Sequence, residues 1–470
     1  MRMRVPSAIL LVSSILACNF ALAGGPNVVG GPALTNRPAF GLDGQPFIWN
    51  PAKMPVAYRL DPGPMAASST GTTVTDHAAG AQRVQNMFGA WQAVSTAKIS
   101  FTNAGPILAA GSYTGGDLKT AQQFNDVMGS CQSGAQSPVI FDADGKLLAS
   151  LGLPAGVIGF TSGCAVDATN GYFISAAVVM NGKFQDGVSS SSNFELTANE
   201  FDEAITHEIG HFFGLDHSQI NLELLQGDAP CDVDQLAGLP LMFPFAFCQA
   251  RKDAGLPILS PDDLSWISRL YPTTTTVNEY GTISGVIFFA DGVTPAQGVN
   301  VIARQVDDPN TTEDESRRVA VSAVSGYLFT GNPGQSVTAG MSALEDNTGG
   351  NPTGSRTTSL IGYYEIAVPP GTYTVEVESV FEAFVAGSGV GPLDPPISMP
   401  GVPEFWNQDE SAFDIPLQRD PITVHPGDKV TGIDIILNNQ FQRFDQFEDS
   451  GRLIDDPIAL PMPLAEEMPA

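Results

Sequence analysis

Residues 206–218 read THEIGHFFGLDHS, and three of the chain's five histidines fall within this one stretch. His207 and His211 are four residues apart, so on a helix their imidazoles share one face and can hold a single metal ion from a rigid scaffold. The same helix cannot reach further round that ion. Gly214 supplies a terminator that tolerates a left-handed backbone, and His217 follows after the chain has turned back. Three neutral imidazoles leave a tetrahedral zinc ion one open position for water. Glu208, beside the first histidine, is placed to act as a base rather than a ligand. With histidine this scarce, the pattern H-E-x-x-H-x-x-G-x-x-H arises by chance on the order of once in a million such chains.

The flanking text supports a helix here. Thr197 and Glu200 form the T-x-x-E of a capping box, and Phe201, Ala204, Ile205, Ile209 and Phe212 recur at helical spacing. Downstream lie Leu241-Met242-Phe243-Pro244 and a second capped helix, LSPDDLSWISRLYP (259–272). Its Ser260 is the N-cap, with Pro261 at the first helical position and Asp262 and Asp263 in the first turn.

Taken together, residues 47–272 resemble the matrixin-like metzincin metallopeptidases, whose extended histidine motif is followed by a methionine turn. The resemblance is strongest over 197–272. It implies one catalytic Zn2+ on His207, His211 and His217, with Glu208 activating the zinc-bound water for peptide-bond hydrolysis. It also implies Met242 as an apolar floor beneath the metal. Phe243, Pro244 and Phe245 would wall the substrate side-chain pocket, and VIGFTS (157–162) would be the edge strand pairing with an extended protein or peptide substrate. One of Asp262 and Asp263 would tie its helix to the methionine turn or to the mature N-terminus. The likeness has limits. The remaining histidines, His77 and His425, do not supply a second zinc site, and no cysteine between Cys18 and Cys131 offers a latency switch.

The N-terminus reads as a targeting segment. MRMR is followed by the apolar AILLVSSILACNFALA, with Ala21-Leu22-Ala23 as cleavage site. A second reading makes Ile15-Leu16-Ala17-Cys18 a lipobox and Cys18 a lipid anchor. No other stretch reads as transmembrane. Export fits the remaining cysteines, 131, 164, 231 and 248, as two disulfides. Of three connectivities, 131–164 with 231–248 closes the shortest loops. A net charge of −29 repels nucleic acid and anionic membranes. It suits a secreted, extracellular protein and calcium binding. Asp142-Ala143-Asp144-Gly145 offers two carboxylates to a structural Ca2+, or simply a turn after a strand.

The fold class read from this is α+β. A metzincin-type domain with a twisted mixed sheet, active-site helix and C-terminal helix precedes an all-β sandwich. The boundaries are 1–23 signal peptide, 24–46 irregular segment, 47–272 metallopeptidase domain, 273–280 linker, 281–440 β-sandwich with an insertion, and 441–470 acidic tail without stable structure. Strands are expected at 54–61, 97–103, 137–145, 157–162 and 174–182, with a helix over 76–95 that puts Trp91 in the core. Beyond 281 the runs GTISGVIFF, VNVIARQV, YYEIAVPPGTYTVEVESV and DKVTGIDIILN are strand-like. Pro369-Pro370-Gly371 reads as a hairpin turn. These runs resemble carboxypeptidase-regulatory-like or transthyretin-like sandwiches, modules that stabilise, space or bind. The competing functional reading is a cell-surface binding or adhesion protein with a vestigial metal domain, associated with the surface through the sandwich or the Cys18 anchor.

Overall fold

The computed structural model describes residues 25–27, 46–167, 171–189, 194–296, 298–326, 362–379, 404–414 and 418–438. The segment read as a signal peptide with its Cys18, residues 28–45 and the segment read as an acidic tail lie outside them. The described residues form mixed α and β structure with several sheets.

The N-terminal half contains β1 (Ile48–Trp49), β2 (Val56–Leu60), the short pair β3 (Ala66–Ala67) and β4 (Thr73–Thr75), α1 (His77–Gln92), β5 (Phe101–Pro106), α2 (Ala121–Gln132), β6 (Pro138–Asp142), α3 (Lys146–Ser150), β7 (Gly159–Asp167), β8 (Tyr172–Asn181) and α4 (Ala198–Phe212). One sheet runs β5-β2-β6-β8, with β1 beside the start of β8. These pairs are parallel, whereas β7 pairs antiparallel along the other side of β8 and forms the edge.

Strand alternation divides the core in two. Val139, Phe141, Val178 and Met180 face α1 and α4, while Ile140, Ala177 and Val179 face Phe124, Val127 and Met128 of α2. On the first side Tyr58 stacks on Phe88 with ring centroids 4.2 Å apart. Trp91, fully buried as expected, donates its indole N–H to Thr206 O at 2.9 Å. The expected strand at 97–103 begins only at Phe101. Helix α2 escaped the sequence reading although Thr120 and Gln123 form a capping box. The two disulfides are Cys131–Cys164, tying α2 to β7, and Cys231–Cys248.

Three short helices follow the histidine motif: α5 (Glu223–Gln226), α6 (Val233–Gly238) and α7 (Pro261–Leu270). The stretch read as a linker carries α8 (Thr276–Glu279), and Thr276 donates its hydroxyl to Thr96 O at 2.7 Å.

The C-terminal half contains β9 (Gly281–Phe288), β10 (Val299–Gln305), α9 (Glu315–Arg318), β11 (Ala320–Val324), β12 (Tyr363–Val368), β13 (Gly371–Ser379), β14 (Glu404–Phe405), β15 (Ile422–Val424), β16 (Lys429–Val430) and β17 (Ile435–Ile436). One sheet runs β11-β10-β13-β14 with β15 on β13; the other runs β12-β9-β16 with β17 on β9. The Pro369-Pro370-Gly371 hairpin is not formed. β12 pairs with β9 and β13 with β10, so the chain changes sheets at the two prolines. Neither proline has an N–H to close a hairpin ladder. Both sheets share one hydrophobic core with the N-terminal half, since Val301, Val321, Tyr364 and Val375 belong to the same cluster as Trp91 and Phe213.

Candidate metal centre

Helix α4 is bounded as its sequence dictates. Thr197 Oγ1 accepts Glu200 N–H, and Glu200 Oε2 accepts Thr197 N–H at 2.7 Å. At the other end Gly214 takes φ +89°, where a side chain would be strained. Beyond it Leu215 bridges antiparallel to Pro26. Residues 25–27, read as irregular, thus brace the turn that leads to His217: Asp216 N–H donates to Gly25 O at 2.9 Å and Asn27 N–H to Gly214 O at 2.8 Å.

His207, His211 and His217 converge. The Nε2 of His207 lies 3.1 Å from both His211 Nε2 and His217 Nε2. Among the described residues this trio is the group of three side chains able to hold a metal ion. His207 Nδ1 is 2.8 Å from Leu241 O and His211 Nδ1 is 2.9 Å from Leu215 O. Those carbonyls can only accept, so both rings carry their proton on Nδ1 and present bare Nε2 lone pairs to the centre. Burial pushes His207 down to about 4 and His211 to about 3, with His207 also acting on His211; His217 is lowered too, again chiefly by burial. Neutral rings with facing lone pairs repel unless a cation lies between them. Tetrahedral zinc with nitrogens at about 2.0–2.1 Å places ligand atoms about 3.3 Å apart, close to the spacing seen. The donor set therefore fits zinc.

Glu208 is buried beside this cluster, and Thr161 Oγ1 of β7 lies 2.8 Å from Glu208 O and 2.9 Å from Glu208 Oε2. Burial raises the Glu208 carboxyl to about 8, and the Thr161 hydroxyl opposes that rise. Met242 lies under the helix against Gly210. A Cβ on Gly210 would stand 2.3 Å from Met242 Sδ, so the glycine inside HEIGH is needed for this approach. Asp263 holds the methionine turn, accepting Leu241 N–H at 2.9 Å and Met242 N–H at 3.1 Å. Asp262 instead accepts the Ser218 hydroxyl and Ser322 N–H.

A cavity of about 410 Å³ opens at the three histidines. Ile158–Thr161 border it on one side, and Phe243, Pro244 and Phe245 border it on the other. Phe243 itself is buried, with Phe245 and Phe247 edge-on to its ring. Two wall features were not singled out in the sequence. Arg251 gives its guanidinium N–H groups to the carbonyls of Leu236, Ala237, Leu239 and Pro257, which fastens the wall loop. Glu203, on the helix face that carries His207, accepts Arg251 N–H at 2.6 Å, and burial raises its carboxyl to about 7. Thr161 lay inside a recognised strand, but only its pairing register shows which way it faces.

The carboxylates considered for calcium have protein partners. Asp142 accepts the N–H groups of Leu147 and Leu148 at the start of α3, and Asp144 pairs with Lys146 at 2.5 Å. His77 Nδ1 is 2.9 Å from Asp61 O, and His425 pairs with Asp428. Among the described residues no helix is long and apolar enough to cross a membrane.

No protein-family model matches the chain, and no curated protein matches it at a significant level.

Proposed function

We propose that the chain is an exported zinc-dependent endopeptidase of the matrixin-like metzincin kind, with a C-terminal carboxypeptidase-regulatory-like sandwich. One observation carries the reading: three buried imidazoles with converging Nε2 atoms stand beside a buried carboxylate at the head of a largely apolar cavity. His207, His211 and His217 would hold the ion. Bound there, zinc would lower the pKa of a water molecule and polarise the scissile carbonyl. Glu208 would take the proton from the attacking water and return it to the departing amine. Thr161 orients that carboxylate. The free edge of β7 would pair with an extended peptide, and the Phe243–Phe245 wall would receive a side chain next to the scissile bond.

Two disulfides agree with an exported protein. The adhesion reading explains neither the glutamate beside the histidines nor the threonine bonded to it, since metal binding alone requires neither. Zinc content and cleavage of a broad protein substrate test the proposal. Wild type should carry one zinc and cleave, whereas Glu208→Ala and chelator-treated protein should lose about 10²-fold or more of the rate. Equal cleavage by all three rejects it.

A further inference from the structure

The third histidine differs from the other two in how it is held. His207 and His211 are each anchored through Nδ1 to a carbonyl, but His217 Nδ1 is buried and makes no hydrogen bond. A ligand ring is normally oriented by a bond from its second nitrogen. His217 must therefore be aimed by the backbone on either side of it.

Downstream, that backbone is held mainly by the C-terminal sheets. Ser218 N–H donates to Met242 O at 3.0 Å, while Ser218 Oγ meets both Asp262 Oδ2 and, at 3.0 Å, Ser322 Oγ of β11. Ser322 N–H donates to the other oxygen of the same Asp262 at 2.8 Å, and Ser322 O accepts the Trp266 indole N–H at 2.7 Å. Next, Gln219 O accepts from Asn300 Nδ2 of β10 at 2.9 Å, and the Gln219 amide reaches Glu378 of β13. Ile220 is fully buried against Ile302 and Ala320. Asn221, with φ +55°, is held by Arg304 Nη1 at 2.7 Å. Glu223 pairs with Arg317. From Ser218 to Glu223, every residue but Leu222 is tied to the C-terminal half.

We infer that the C-terminal sheets are a working part of the metal centre, with Ser322 and Asn300 as positioning residues that set the backbone delivering His217. Two ligands stand on α4, and the third is completed by β10 and β11. The inference rests on the metal-binding reading of the three histidines.

Co2+ titration of the full chain, followed by its visible absorption, tests this apart from catalysis. Ser322→Ala and Asn300→Ala should each weaken Co2+ binding about tenfold or more and change the absorption from the three-histidine pattern. Ser265→Ala removes a hydroxyl bond to Ala367 O across the same interface, away from 218–223, and should bind as wild type. Circular dichroism checks that each variant is folded. Unchanged Co2+ affinity and absorption in folded Ser322→Ala and Asn300→Ala overturn the inference. So does an equal loss in Ser265→Ala, which would mean general loosening of the interface. Failure of wild type to bind Co2+ or Zn2+ overturns the metal reading itself, and the inference with it.

Discussion

Thr161 on the edge strand and Glu208 on the histidine helix are joined twice by one hydroxyl, at 2.8 Å to the backbone oxygen and 2.9 Å to the carboxylate. The helix that carries His207 and His211 is thereby registered against the strand beside the cavity. Thr161→Val keeps the shape and removes the donor. The expected result is a fall of about tenfold in kcat, equivalent to about 1.4 kcal/mol, with zinc content unchanged. Unaltered kcat would show that Glu208 is held by its backbone alone.

Gly210→Ala places a methyl against Met242 Sδ, with the Trp91 ring 3.0 Å away. Overpacking of this kind costs about 1–3 kcal/mol. Urea denaturation should show that loss, and Gly210→Ala with Met242→Ala should lose less than the sum of the single changes, because the two side chains compete for one space.

The Cys231–Cys248 bridge closes the loop that contains the cavity wall, with a sequence separation of 17. Replacing both cysteines by serine should lower stability by about 3 kcal/mol through the unfolded chain's entropy. Thermal melts with and without reductant check it: reductant should move the wild type toward the variant and leave the variant itself less affected.

Asp61 follows β2 directly with no accessible surface, and burial raises its carboxyl from 3.8 to about 7; Asp117 adds to the rise and Gly63 N–H opposes it. A raised folded pKa means that the protonated group's contribution is fully present below 3.8 and is lost as pH rises through about 7. Asp61→Asn cannot ionise. Its stability relative to wild type should therefore improve from pH 4 to pH 8, read as the difference in urea midpoints. A constant difference across that range would refute the titration.

Much of the centre was legible because its chemistry is local. The spacing of His207, His211 and His217, the cap at Thr197, the stop at Gly214 and the Ser260 cap all act within one or two helical turns, and each appears where the residues put it. Short-range turn chemistry misled at Pro369-Pro370-Gly371, where two alternating runs looked like partners. Which strands pair is decided by the whole sheet: β12 finds β9 and β13 finds β10. Helix α2 was hard to read because Asn125, Asp126, Gly129 and Ser130 are weak helix formers, and packing of Phe124, Val127, Met128 and Cys131 against the sheet stabilises it.

Which atoms meet at the centre is written in the local sequence, because helical periodicity and one left-handed glycine bring three imidazoles to the same place. Tertiary structure alone decided what holds them there. Thr161 reaches Glu208 across 47 residues, Asp263 reaches the methionine turn across 21, and Ser322 reaches Ser218 across 104. No local pattern encodes such distances. They follow from burying the two halves of the chain in one core, where most polar groups near the histidines are drawn to partners distant in sequence.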